Sequence, residues 1–245
     1  MNKLNDRKNC LLFCLLLSIL SCKKEDQIKS HLTGAYVTDS LLSLNVPVMY
    51  TKSTLITDSN FIKSYVSRRS NWYPNPFPCT TCSFPFNSTT EVATSKIRID
   101  FSSPAQGTVQ FDNYSNVNCF IQVKDNNAIF ISKDTIPLGS GDGPCSQLVN
   151  KTIVYKAPYD TCRVNSTSTG TSSWCASQPV ELVVSLSGDL YLPVVKAFTG
   201  KTIIGVGNCF EPAQFLNVFK TDFQNSLAAA DTVVVQQKRW RLKRL

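Results

Sequence analysis

Any chemistry in this chain would begin with its cysteines, because His31 is the single imidazole present. Cys79-Thr80-Thr81-Cys82 has the spacing of a dithiol redox pair or of half a zinc site. A redox pair needs a helix start to lower its thiol pKa. Here the neighbours are Pro74, Pro76, Pro78 and Pro85, with Phe77, Phe84 and Phe86 between them. That is loop chemistry. A zinc ion would need a second pair of ligands close by. The preferred reading is a structural disulfide or a buried thiol, with metal and redox roles as the alternatives. Cys162 and Cys175 enclose the segment RVNSTSTGTSSW, too poor in apolar residues to pack itself. A bridge between them would stabilise the chain by roughly 3 kcal/mol on the loop-entropy account.

The other motifs reduce to local structure. Thr199-Gly200-Lys201-Thr202 has the end of a phosphate-binding loop, but Val195 stands where that loop needs glycine, and Ile203-Ile204-Gly205-Val206 continues as a strand rather than a helix. Gly139-Ser140-Gly141-Asp142-Gly143 occurs once and offers one carboxylate, where calcium takes six to eight oxygens. It reads as a turn. Neither a Gly-x-Ser-x-Gly elbow nor a His-Glu-x-x-His helix is present, and His31 alone is a poor basis for a nucleophile–base pair. Paired carboxylates could support a hydrolase, though no pair stands out. The expectation is a non-enzymatic chain with no cofactor and no bound metal.

The elements that would position such residues begin after a leader. Met1–Asn9 carries Lys3, Arg7 and Lys8, Cys10–Leu20 is apolar, and Ser21-Cys22 precedes the charged run Lys23-Lys24-Glu25-Asp26. This is the pattern of a secretory signal. As a helix the apolar run would reach about 16–17 Å, short of a hydrocarbon core about 30 Å thick. Ile19-Leu20-Ser21-Cys22 resembles the lipobox of bacterial lipoproteins, with isoleucine where leucine is more usual. The resemblance implies cleavage before Cys22, a diacylglyceryl group on its sulfur and a partner in the membrane itself. Two or three acyl chains suffice for stable anchoring where one is marginal. Lys23 favours the outer membrane over inner-membrane retention, and Cys-Lys-Lys-Glu-Asp is similar to the export tag of Bacteroidota-type surface lipoproteins. The remaining cysteines would then mature in an oxidising compartment that permits disulfides.

The formal charge of +8 is not a nucleic-acid signal, because it sits at the two ends. Lys3, Arg7 and Lys8 lie in the leader, and Lys238, Arg239, Arg241, Lys243 and Arg244 close the chain. The body between is almost neutral, and no nucleic-acid partner is expected. In the last stretch Arg239, Arg241 and Lys243 alternate with Trp240 and Leu242, as on a strand with a charged outer face and an apolar inner one. Contact with anionic headgroups or polysaccharide is the alternative use of that charge.

Residues 1–21 thus read as a signal peptide, 22–31 as a lipidated tether, and 32–245 as one β-rich domain with long loops at 71–90 and 138–178. Strands are expected at Leu32–Val37, Tyr50–Thr57, Phe61–Ser67, Thr94–Phe101, Gly107–Phe111, Cys119–Lys124, Ala128–Ser132, Thr152–Lys156, Val180–Leu186, Leu190–Val195, Lys201–Val206 and Thr232–Leu242. Asp125-Asn126-Asn127 and Ser187-Gly188-Asp189 read as tight hairpin turns. Pro212 followed by Phe215, Phe219, Phe223 and Leu227 predicts one helix near the C-terminus, with a strand over Gln214–Phe223 as the alternative.

The fold class is therefore all-β, an antiparallel barrel or sandwich. Gly34-Ala35-Tyr36 at the start and Trp240-Arg241 at the end resemble the paired first and last strands of lipocalin-like barrels, with tyrosine replacing tryptophan. That resemblance implies a lumen for a small apolar ligand. Trp72, Tyr73, Phe77, Phe84 and Phe86 in the proline-rich loop either cap the core or form a platform for a glycan or a partner protein. The expected function is a binding module for a small apolar ligand, a glycan or an envelope protein, with a structural or assembly role in the envelope as the alternative.

Overall fold

The computed structural model describes residues 33–70, 84–112, 114–138, 144–156, 159–167, 170–203 and 207–245. The strongest sequence signal becomes the barrel wall. In Ile97–Ser103 the side chains of Ile97, Ile99 and Phe101 are buried while Arg98 and Ser102 are exposed, the period-two pattern of a strand with one wet face. Seven more strands complete the ring. In chain order the eight strands of the ring are β1 (Gly34–Leu44), β5 (Ile97–Ser103), β6 (Gln106–Phe111), β7 (Val117–Lys124), β8 (Asn127–Ser132), β12 (Val180–Ser185), β13 (Tyr191–Ile203) and β15 (Thr232–Arg244). Each is antiparallel to the next, and β15 returns to pair with β1. The result is a closed, eight-stranded, up-and-down antiparallel barrel. Closure removes the exposed edges that an open sheet would leave.

Local chemistry sets the register of this meander. β7 and β8 are joined through Asp125 and Asn126, both at positive φ (51° and 58°), the two-residue turn whose twist matches that of the strands. A bulge in β1 between Thr38 and Leu42 accompanies a hydrogen bond from the Trp240 indole N–H to the Asp39 carbonyl. At Gly107 an added Cβ would stand 2.5 Å from the Asp100 carbonyl oxygen and 3.0 Å from Ile121 and Phe130, so no larger residue fits.

The barrel interior is filled. Fifteen buried residues make one apolar cluster, among them Ile99, Phe101, Val109, Phe130, Leu182 and Trp240. Phe101 meets Phe130 edge-on at 5.3 Å, a favoured aromatic geometry. Cys119 lies in this cluster as a free thiol, and its pKa is pushed up to about 12, first by burial and then by the charge of Glu181. The lumen expected from the first- and last-strand pairing is thus occupied by side chains.

β13 and β15 are longer than the barrel needs. Their far halves pair with each other, with β14 (Gly207–Phe215) on one side and with β2 (Val48–Thr51) and β3 (Leu55–Ile56) on the other. One face of this extension packs against α1 (Ser59–Ser70), through Ile62, Tyr65 and Val66 on Met49, Phe198 and Val234. The other face takes Leu148 of α2 (Pro144–Asn150) together with Phe219, Phe223 and Leu227. β4 (Thr90–Val92) pairs with β1. A separate three-stranded sheet runs in the order β10 (Tyr159–Thr167), β11 (Gly170–Ser177), β9 (Ile136–Leu138).

Four expectations are corrected. Phe61–Ser67 is helical: Ile62, Tyr65 and Val66 are the buried positions, at helical spacing, and the Asp58 carboxylate caps the helix by accepting from the Asn60 and Phe61 N–H groups at 2.8 and 3.1 Å. Thr152–Lys156 forms one isolated bridge, Ile153 to Phe219. The span 138–178, expected as loop, contains α2 and the β10–β11 hairpin. The helix expected near the C-terminus is strand β14, then irregular chain, then a 3-10 turn over Phe223–Ser226. Pro212 is tolerated there because β14 is an edge strand. The phenylalanines at four-residue spacing do share one cluster, but an extended chain delivers them to it.

Candidate binding pocket

The pocket arises where two strands of the barrel part. β12 and β13 are joined by a turn through Gly188, whose φ of +78° suits glycine, and they share the single register pair Ser185–Tyr191. Beyond that pair, β12 takes a different neighbour: the Val183 N–H donates to the Leu216 carbonyl at 2.9 Å. β13 instead follows β15 from Tyr191 to Gly200. The fork between them holds a cavity of about 490 Å³.

Its walls come from three directions. The outer face of β13 and β15 supplies Tyr191, Pro193, Gln237 and Arg239. The ends of β8 and β12 supply Asn127 and Ser185, the turn between β12 and β13 supplies Ser187, and the chain after β14 supplies Asn217–Phe219. Asn217 makes that last wall firm. Its Oδ1 accepts from the Tyr155 and Val218 N–H groups at 3.2 and 2.8 Å, and its Nδ2 donates to the Tyr155 carbonyl at 2.6 Å. Asn127 is held likewise, its Nδ2 donating to the Asp125 carbonyl and the Tyr155 hydroxyl.

Hydroxyl, amide and guanidinium groups dominate this lining, which includes no aspartate or glutamate. The Arg239 guanidinium lies over the Tyr191 ring, its Cζ 4.2 Å from the centroid, a contact worth about 0.5–1 kcal/mol at an exposed site. Burial alone would raise the Tyr191 phenol pKa, but hydrogen bonds with Ser185 and Arg239, and then the Arg239 charge, outweigh it and the net shift is downward. A shallower cavity of about 280 Å³ adjoins, sharing Ser187, Tyr191 and Arg239 and adding Ser43, Asp189 and Arg241. There Arg241 pairs with Asp189 at 3.2 Å, both well exposed.

A second polar group lies on the inner side of the same two strands, where the barrel meets its extension. Lys196 and Gln236 are cross-strand partners, and Lys238 follows two residues on. All three are buried. Lys238 pairs with the Glu91 carboxylate, and Lys196 stands 5.4 Å from the Phe84 ring centroid. Gln236 Nε2 donates to the Asn45 and Pro85 carbonyls at 3.0 Å, while its Oε1 is buried with no partner among the described residues. These contacts fasten the chain from Phe84 to Val92 onto the sheet.

Phe84 and Phe86, read either as core caps or as part of a platform, lie against a core cluster. Phe84 is buried beside Ile62, Tyr65 and Phe198, and Phe86 packs against the same cluster. Trp72, Tyr73, Phe77, Cys79, Cys82 and Cys22 lie outside the described residues. The β10–β11 register sets Cys162 directly opposite Cys175. Thr199-Gly200-Lys201-Thr202 is continuous strand within β13. The alternation foreseen for the last strand holds, with Trp240 and Leu242 buried and Arg239, Arg241 and Lys243 exposed.

Sequence reading missed the pocket because Asn127, Ser185, Tyr191, Asn217 and Arg239 are far apart in the chain and form no spacing motif. Of its charged residues, the arginine row on β15 had a local signal. No protein-family description, curated protein or solved structure matches the chain.

Proposed function

We propose that this chain is an envelope lipoprotein, anchored by lipid on Cys22 at the outer membrane, whose barrel holds a saccharide in the fork between β12 and β13. The observation that carries the binding role is the composition of that cavity: hydroxyls, amides, the Arg239 guanidinium and the Lys238 ammonium outnumber the apolar Pro193, Val194, Val195, Val218 and Phe219 around about 490 Å³ of space. Groups of that kind match the donors and acceptors of a hydroxyl-rich ligand, whereas the barrel interior, where an apolar ligand would sit, is filled by apolar side chains. The cavity therefore favours a glycan over the small apolar molecule. Because its lining brings no pair of carboxylates together, it favours retention of the sugar over its hydrolysis.

The test is glycan-array binding by the residue 23–245 fragment, followed by titration of the best ligand. A Tyr191→Ala, Gln237→Ala double variant that folds as the parent does is expected to weaken binding at least about tenfold, the loss of one to two hydrogen bonds. Unchanged affinity would remove the pocket from the account. The anchor is tested separately: Cys22→Ala is expected to leave the membrane fraction and to lose the mass of the acyl chains. A variant that stayed membrane-bound at unchanged mass would refute lipidation.

The second reading is a structural or assembly role in the envelope, and the packed barrel interior favours it. It predicts that a partner protein, rather than a sugar, protects the β13–β15 outer face from hydrogen exchange.

A further inference from the structure

The outer face of β15 presents a row of three cations, Arg239, Arg241 and Lys243. Two of them are matched by acids: Arg241 by Asp189 at 3.2 Å, and Lys243 by Asp39 at 2.9 Å. The Lys243 hydrogen bond, with help from the Ser40 N–H, holds the Asp39 carboxyl below its usual range. Arg239, which stands at the larger cavity, has no carboxylate partner among the described residues. Its contacts are with Tyr191, the Cζ 4.2 Å from the ring centroid and a hydrogen bond to the phenol oxygen. Held on Tyr191 in this way, the guanidinium fork still has further N–H donors of its five for an incoming acceptor.

Electrostatics around that fork point the same way. The lining of the cavity includes no acid, and Lys238 beneath it is already matched by Glu91. An anion entering here would meet one unmatched cation held in place, beside neutral donors from Ser187, Gln237 and Tyr191. Desolvating a neutral sugar against Arg239 would leave that charge unanswered, whereas an acidic group would accept from it in a bidentate pair. We infer that the site selects an acidic saccharide, a sugar bearing a carboxylate or sulfate group that docks on Arg239, with the neutral ring hydroxyls reading the amides and hydroxyls deeper in the fork. This rests on the saccharide reading above and narrows it.

The experiment titrates three sets of oligosaccharides matched in length: uronic-acid, sulfated and neutral. The proteins are the parent, Arg239→Gln, Arg239→Lys and Asp189→Asn. For the parent, at least one acidic set is expected to bind about tenfold or more tighter than the neutral set. Which acidic set binds distinguishes carboxylate from sulfate. Arg239→Gln is expected to abolish that preference, so that acidic and neutral sets bind alike. Arg239→Lys should restore only part of it, because a point charge replaces the fork. Asp189→Asn frees Arg241 and is expected to strengthen acidic binding. Equal binding of acidic and neutral sugars by the parent, or an acidic preference that survives Arg239→Gln, would overturn the inference while leaving the saccharide reading standing. Binding of no sugar in any set would overturn both.

Discussion

At the residue scale the tightest constraint is steric. Gly107 sits opposite Phe101 on one side and Cys119 on the other, where the β5 backbone and two core side chains leave no room for a methyl group. Gly107→Ala must displace backbone, since the closest atom is a carbonyl oxygen rather than a flexible side-chain tip. We expect it to lower stability by about 1–3 kcal/mol, read as a reduced denaturation midpoint with an unchanged m-value. A midpoint equal to the parent's would mean that the β5–β6 approach is looser than the structure shows. Glycine here was legible as a strand residue but not as an obligatory one, because the crowding comes from Ile121 and Phe130 on other strands.

At the scale of elements, α1 shows how a local signal can be outvoted by a composition signal. Phe61, Ile62, Tyr65 and Val66 are residues that favour strands, and that led to a strand over Phe61–Ser67. The spacing of the buried positions and the acid ahead of them carried the opposite message. Asp58 caps the helix with its carboxylate, and the helix in turn covers one face of the extension sheet. Asp58→Ala is expected to cost about 1 kcal/mol, and Asp58→Asn to recover most of it, both measured by thermal unfolding. Equal stability for the alanine and asparagine variants would show that the cap contributes nothing. The C-terminal segment is the converse case. Its four-residue apolar period is real, yet Asn217 occupies the Tyr155 backbone from both sides, so that stretch is held as extended chain against a distant neighbour.

At the scale of the whole molecule, two strands do most of the integration. β13 and β15 run through both the barrel and its extension, and the buried Lys196, Gln236 and Lys238 mark the crossing point. Burial first, and then the charge of Lys238, lowers the Lys196 pKa, with Glu91 offsetting part of the effect. The folded state therefore binds fewer protons at this site than the unfolded chain does. By linkage, the contribution of Lys196 to stability improves as pH rises from the lowered folded value towards the ordinary lysine value of 10.5. Below that window the cost of burying the charge is present in full. Lys196→Met is expected to be more stable than the parent below that window and to flatten the rise in stability as pH climbs towards 10.5. Denaturant midpoints across that range decide it, and a parallel slope in parent and variant would assign the alkaline rise to another group.

What the sequence determined by itself is whatever depends on neighbours within one turn or one strand. The period-two burial of β5, the Asp125-Asn126 turn and the two-faced last strand are all local, and short-range sterics and solvent exposure suffice to set them. The tertiary structure alone decided the rest: the closure of eight strands on a filled interior, the extension built on β13 and β15, and the fork that gathers Tyr191, Asn127 and Arg239 into one pocket. Those outcomes depend on which distant strand completes each hydrogen-bond ladder and which side chains then compete for the same interior volume, and neither is encoded within any single stretch of the chain.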